Sequence, residues 1–265
     1  MPDNQAPSLA FDHMVIAVAD LEAAMSAYAS LGFTVRYGGQ HPGRRTHNAL
    51  ITFAEGNYLE LIAERSGLPP TSDAREAWVR DAVQSGQALL TFALRSPNLA
   101  ATVARCEERG LPFSALQDGA RERPDGARVA WRAASPSLPD LPFLIEDVSA
   151  RELRISEAAE DVTHANGARG LRQVELLAGD VAEVAASHTL LLGHSARQEQ
   201  GAALFSLGEV ELRIRAPAHE RERTELGDAA ARLHALTLNG EGEEECELDA
   251  AQIGYPLRIL AQASR

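Results

Sequence analysis

Two ionisable side chains stand inside stretches that otherwise read as strands. In FDHMVIAV, residues 11–18, His13 faces away from the side that Met14, Ile16 and Val18 share. In YLELIAE, residues 58–64, Leu59 and Leu61 share one side and Glu60 takes the other. A carboxylate in such a setting needs a partner, because burying it alone is costly. His13 reads either as a hydrogen-bonded strand histidine or as a group that moves a proton. His41, Thr46, His47 and Asn48 lie on a glycine-rich loop entering a strand, as substrate contacts or as a polar turn satisfying its own backbone. Arg121 could clamp two oxygens of a carboxylate or phosphate with its fork. Pro124-Asp125-Gly126 is a turn signal, and Trp131 follows it. Glu146 lies in PFLIED. His164 and Asn166 lie in a polar stretch that either caps a linker or folds over a cleft and supplies an imidazole.

The elements that must position these groups repeat along the chain. Asp20, Asn98 and Asp180 each follow an apolar strand-like run and precede a helical stripe, as N-caps do. A glycine closes each helix, at Gly32, Gly110 and Gly193. Cap to glycine is 12 positions twice (32 − 20, 110 − 98) and 13 once (193 − 180). More strand candidates follow each helix: Thr34 to Tyr37, Asn48 to Phe53 and Tyr58 to Ala63; then Phe113 to Leu116, Arg128 to Arg132 and Pro142 to Glu146; then a weak one after Gly193, Ala202 to Leu207 and Val210 to Arg215. Each unit reads β-α-β-β-β. The fold class is therefore α+β, with paired βαβββ modules forming a curved mixed sheet around a cleft, helices outside. Modules one and two span 10–64 and 88–148, joined by a helix over Asp73 to Ser85. Residues 149–170 read as a linker, and 171–262 as a second module pair. Its last member, Leu233 to Leu238 and Ile253 to Leu260, is degenerate, because GEGEEECELDA is too short and acidic for a helix and two strands. In the third module Gln173 and Glu211 take the strand positions of His13 and Glu60, most simply as a solvated sheet face with Glu175. Glu241 to Glu247 reads as a solvated acidic loop.

With 265 residues, 45% of them hydrophobic, the chain can bury a substantial core. A formal net charge of −13 makes nucleic acid and anionic membranes poor partners. Cys106 and Cys246 form no zinc or redox spacing, and Cys106 falls on an apolar helical face. Met1 to Ser8 has no leader pattern, and no apolar run approaches a membrane span, so a cytoplasmic monomer or homodimer is expected. Walker, Rossmann and G-x-S-x-G patterns are missing, which removes a nucleotide cofactor and serine hydrolysis from the first readings.

Several phrases carry a further resemblance: FDHMVIAVADL, GGQHPGRRTHNALITF with NYLELIAE, GARERPDGARVAW, LPFLIED and THANGA. Over roughly residues 11 to 170 the chain resembles the glyoxalase-like branch of the vicinal oxygen chelate superfamily. The resemblance implies metal ligands on the first and last strands of each module, which here match His13, Glu60 and Glu146. It also marks Thr46 and Asn48 as substrate contacts. Thr91 stands opposite His13 in module two, a poor ligand for a transition metal. An ion held by imidazole and carboxylate would be zinc, manganese, nickel or iron at an open site. Two functions follow as expectations: a metal-dependent lyase, isomerase or dioxygenase acting on a small oxygen-bearing molecule, or a metal-free protein that binds and sequesters one.

Overall fold

The computed structural model describes residues 9–69, 71–72, 74–242 and 245–261. The stretch Met1 to Ser8 and residues 243–244 of the acidic run lie outside the described residues. Module one is β1 (Ala10–Ala17), α1 (Leu21–Ser30), β2 (Arg36–Gln40), β3 (Thr46–Thr52) and β4 (Tyr58–Glu64). After α2 (Ala74–Gln84), module two is β5 (Leu89–Arg95), α3 (Leu99–Glu108), β6 (Gln117–Glu122), β7 (Arg128–Ala134) and β8 (Phe143–Asp147). The caps form as expected: Asp20 accepts from Ala23 N at 2.9 Å and Asn98 from Ala101 N at 3.0 Å. Each such cap contributes about 1 kcal/mol. The sixth strand starts four residues later than the apolar pattern suggests. Phe113 makes only an isolated bridge to Pro136.

The curved sheet closes into an eight-stranded barrel in the order β1-β4-β3-β2-β6-β7-β8-β5. First and last strands of each module run parallel, and β1 meets β5 antiparallel. The opposite seam is the single pair Gln40 and Glu122, between β2 and β6. Gly39 permits it: its φ is +130°, and a Cβ there would lie 1.9 Å from the Glu122 carbonyl oxygen.

Alternation then sorts the side chains. Met14, Ile16, Leu59, Leu61 and Ile51 face outward and are buried with Leu21 and Tyr28 of α1. Phe92, Leu94 and Leu144 are buried with Leu99, Val103 and Cys106 of α3. The inner positions are left for a cavity. Connectors pack against its two ends. From α2, Trp78, Val79 and Ala82 pack on Val15, Ala17 and Ile62. At the other end Ile155 packs on Leu50 and Tyr58, just after the short helix α4 (Arg151–Arg154). The stretch expected as a linker, 149–170, is thus docked on the barrel, with Arg154 and Ile155 each 3% exposed.

Beyond α5 (Ala159–Val162) come β9 (Ala168–Ala178), α6 (Val181–Leu192), β10 (Arg197–Glu199), β11 (Ala202–Leu207) and β12 (Val210–Arg215). Then follow α7 (Glu220–Leu226), β13 (Ala231–Gly240), β14 (Cys246–Leu248), α8 (Ala250–Ile253) and β15 (Leu257–Leu260). They form an open sheet, β10-β11-β12-β9-β13-β15-β14. The fourth module is reduced as expected: one helical turn and one short strand separate β13 from β15. That strand, β14, takes up Cys246 and Glu247, so the acidic run is not wholly a loop. The two halves meet through Tyr28 and Tyr255, whose hydroxyls lie 2.7 Å apart, and through Arg109, which donates to Leu190 and Leu191 carbonyls at the end of α6. Among the described residues no helix is long and apolar enough to cross a membrane.

Candidate functional site

The barrel encloses a cavity of about 230 Å³. One wall is polar and belongs to module one: His13, His41, Thr46, Asn48 and Glu60. The facing wall, from module two, carries Trp131, Ala133, Phe143 and Ile145 together with Gln117, Asp118 and Arg121, and Trp78 of α2 adds to the lining.

His13 and Glu60 point into this cavity from neighbouring strands, with Nε2 and Oε2 3.3 Å apart. The His13 ring stacks on Tyr58 at 4.5 Å between centroids and meets the edge of Phe143. Its Nδ1 lies 2.7 Å from Oδ2 of Asp12. Plain alternation would send Asp12 to the outer face. A register shift between Phe11 and His13 bulges the strand and brings both side chains to the same side. Asp12 is fully buried and takes two bonds from Arg154, at 2.6 and 3.0 Å, and one from Arg151 at 2.6 Å. Arg154 also donates to Asp147 and to the Tyr58 hydroxyl.

Burial opposes charge on all three groups, and their mutual attraction overcomes it. Burial raises the Asp12 carboxyl, but Arg154 and His13 hold it well below the usual carboxylate range. Burial lowers His13, but hydrogen bonds and charge from Asp12 and Glu60 leave it raised. Burial raises Glu60, while His13, His41 and Asn48 bring it down to about 2. His13 thus lies between two carboxylates that favour its charged form. Glu60 Oε1 also accepts from Asn48 Nδ2 at 2.6 Å. His41 lies nearby, with Nε2 3.9 Å from Glu60 and Nδ1 2.9 Å from the Thr46 hydroxyl. Burial lowers its pKa, and Arg121 and Arg44 add to that against the pull of Glu60.

Other expected site residues fall elsewhere. His47 leaves the cavity and packs edge-on against Tyr37. Glu146 does not reach the cavity, because Phe143 and Ile145 take the inner positions of β8. Its carboxylate instead accepts from Arg132 at 2.8 Å on the outer side. His164 and Asn166 supply nothing to the cavity. His164 accepts from Thr34 N and approaches the Thr52 carbonyl, wedged beside Phe33 and Phe53. Asn166 donates to the Leu31 carbonyl at the end of α1. Both pin the connector to module one. Arg121 lines the cavity, but one N–H of each terminal nitrogen is used by a backbone carbonyl, of Gly38 and Arg154, at 2.7 and 2.6 Å. Asp12, Tyr58, Trp78, Phe143 and Arg154 were not singled out by pattern. Arg154 sits in a polar stretch without periodicity, where no local signal marks it.

The superfamily resemblance implies a divalent ion, and the donors can be tested for it. His13 and Glu60 are spaced as two ligands of one ion could be, and Asp12 orients the imidazole as an outer carboxylate does. The other module supplies nothing. Register aligns Val15–Glu60 with Ala93–Phe143, so Phe143 takes the place of Glu60 and Thr91 that of His13. Among the described residues no three His, Cys, Asp or Glu side chains converge on a possible ion. The donor set does not fit a resident metal. In the second sheet, Gln173 pairs with Glu211 as His13 pairs with Tyr58. The residue at the Glu60 position there is therefore Arg213, not Glu211.

A family model described as "Glyoxalase-like domain" matches residues 11–192. No curated protein matches the chain. Among solved structures, a hypothetical protein from Staphylococcus aureus aligns with a TM-score of 0.76 at 13% identity, covering 96% of this chain and 100% of that one. A mutant of 4-hydroxymandelate synthase from Streptomyces coelicolor aligns with a TM-score of 0.54 at 13% identity, covering 89% and 72%. A fusion of a xylose isomerase-like TIM barrel with 4-hydroxyphenylpyruvate dioxygenase gives 0.54 at 14% identity, covering 93% and 38%. At these identities the likeness is one of fold.

Proposed function

Because this chain belongs to the glyoxalase-like domain family, we propose that its barrel cavity takes a small oxygen-bearing molecule and that His13 and Glu60 move a proton on it without a resident metal. The carrying observation is the His13 Nε2 to Glu60 Oε2 separation of 3.3 Å on the polar wall of the cavity, facing Trp131, Phe143 and Ile145. The step is an enolisation. Glu60 takes a proton from the carbon beside a carbonyl, and His13 Nε2–H gives its proton to the carbonyl oxygen. The enol forms as Glu60 becomes a neutral acid and His13 a neutral imidazole. Return of the protons, to the same or the neighbouring carbon, gives exchange or isomerisation. Asp12, held by Arg154, keeps His13 oriented and favours its charged form.

A second reading has an observation of its own. A carboxylate held near 2 is a weak base, which favours binding or sequestration without turnover. One experiment separates the two. A panel of 2-oxo acids, diketones and hydroxyketones is incubated with the protein in deuterium oxide and followed by proton NMR. Turnover predicts exchange at the carbon beside the carbonyl, slowed about a hundredfold or more by Glu60→Gln. Binding alone predicts a thermal shift with the same compounds and no exchange. Zinc, manganese, nickel and iron are screened in parallel. Stabilisation by any of them that Glu60→Gln abolishes would overturn the metal-free reading.

A further inference from the structure

The buried ion pairs beside the cavity join His13 to Asp12 and Glu60, and Arg151 and Arg154 to Asp12 and Asp147. Arg121 also lines the cavity but belongs to none of these pairs. It is 3% exposed. Its terminal nitrogens each give one N–H to a backbone carbonyl, and among the described residues no carboxylate lies within 4 Å and no acceptor meets its Nε. Arg154, equally buried, has two carboxylates. Carbonyl dipoles solvate a guanidinium in part but leave its charge in place, and a buried charge without a counter-ion is expensive. The missing counter-ion belongs in the cavity that Arg121 lines together with Trp131 and Phe143.

Resting on the reading that this cavity holds a small oxygen-bearing molecule, we propose that the ligand is an organic oxyanion, its charge set against Arg121 and its flat apolar part against Trp131 and Phe143. The spare N–H bonds of Arg121 meet the oxyanion, and the aromatic wall excludes water from the rest. A neutral molecule of the same shape leaves Arg121 unmatched and binds less well.

The chain's two tryptophans, Trp78 and Trp131, both line the cavity, so intrinsic fluorescence reads its occupancy. Benzoate, phenylphosphonate and neutral benzamide are titrated in low-salt buffer. The expected result is a saturable change with benzoate or phenylphosphonate and at least tenfold weaker binding of benzamide. Arg121→Gln should erase that preference and Arg121→Lys should keep it. If Arg121→Gln fails to fold, the three probes on the unaltered protein and on Arg121→Lys decide the matter. Benzamide binding as tightly as the anions overturns the oxyanion proposal and leaves the small-molecule reading standing. So does a preference lost in His13→Gln but kept in Arg121→Gln, which would assign the charge recognition to His13. Saturation by none of the three also overturns it, and the exchange experiment then judges the small-molecule reading by itself.

Discussion

The barrel and the open C-terminal sheet are built on the same rungs yet treat charge in opposite ways. In the barrel, His13 pairs with Tyr58 and Val15 with Glu60. In the open sheet the matching rungs are Gln173 with Glu211 and Glu175 with Arg213. Closure through the Gly39 seam buries the inner side chains of β1, β3 and β4, His13, Asn48 and Glu60 among them. His13 and Glu60 answer each other there, and counter-charges for Asp12 are delivered from a connector. The open sheet lets Arg213 and Arg215 share Glu175 near the surface, at 3.7 and 2.7 Å, with Glu222 also on Arg215 at 2.8 Å. Enclosure, more than strand sequence, turns a polar sheet face into a candidate site.

The largest expected effect tests that difference directly. Arg154→Met leaves Asp12 buried beside His13 without its main counter-charge and should cost about 3 to 5 kcal/mol. At about 2–4 °C per kcal/mol, the melting temperature should fall by roughly 10 °C. Arg213→Met, in the partly exposed ladder, should cost about 1 kcal/mol or less. Equal losses in calorimetry or urea unfolding would break the comparison.

Acid should then separate the two halves by pH window. Glu60, at about 2 when folded against 4.5 as a free carboxyl, stabilises the barrel above pH 4.5 and loses that contribution as pH falls toward 2. His188 in α6 is buried, with Nδ1 on the Val184 carbonyl and Nε2 unpartnered. Burial lowers it to about 4 from 6.5, so the unfolded state binds its proton first. The open-sheet half therefore loses up to about 3 kcal/mol as pH falls from 6.5 to 4. In the barrel the lowered pKa values of His41 and His164 act in the same direction as pH falls, while the raised His13 opposes them. Hydrogen exchange should therefore show α6 amides losing protection in that window more than those of β1 and β4, and His188→Leu should flatten the α6 response. Simultaneous loss in both halves would count against separate control.

The smallest effect sharpens the boundary of the site. Glu146→Gln removes an outward carboxylate paired with a half-exposed arginine, and should cost under about 1 kcal/mol. Fluorescence titration of the cavity should be unchanged. A lost ligand response would return Glu146 to the site.

Much of this was legible residue by residue. Asp20, Asn98 and Asp180 announced their helices because capping is settled within three residues, and each accepts the expected backbone N–H. The inward aim of His13 and Glu60 followed from alternation, which is settled within two. Glu146 misled because one residue of shift reverses a strand's faces, and nothing in PFLIED states the register. His164 and Asn166 misled because a polar stretch reads alike whether it covers a cleft or ties down a helix end.

The sequence by itself determined the repeat, the helix boundaries and the polar groups on the inner side of β1 and β4, all from interactions between near neighbours. Only the tertiary structure decided that Asp12 turns inward at a bulge, that Phe143 and not Glu146 faces Glu60's half of the barrel, and that Arg154 arrives to hold Asp12 across 142 positions of chain. The reason is physical. Propensity and alternation act along the backbone, whereas compensation of a buried charge is settled in space, by whichever group the closed barrel brings within reach.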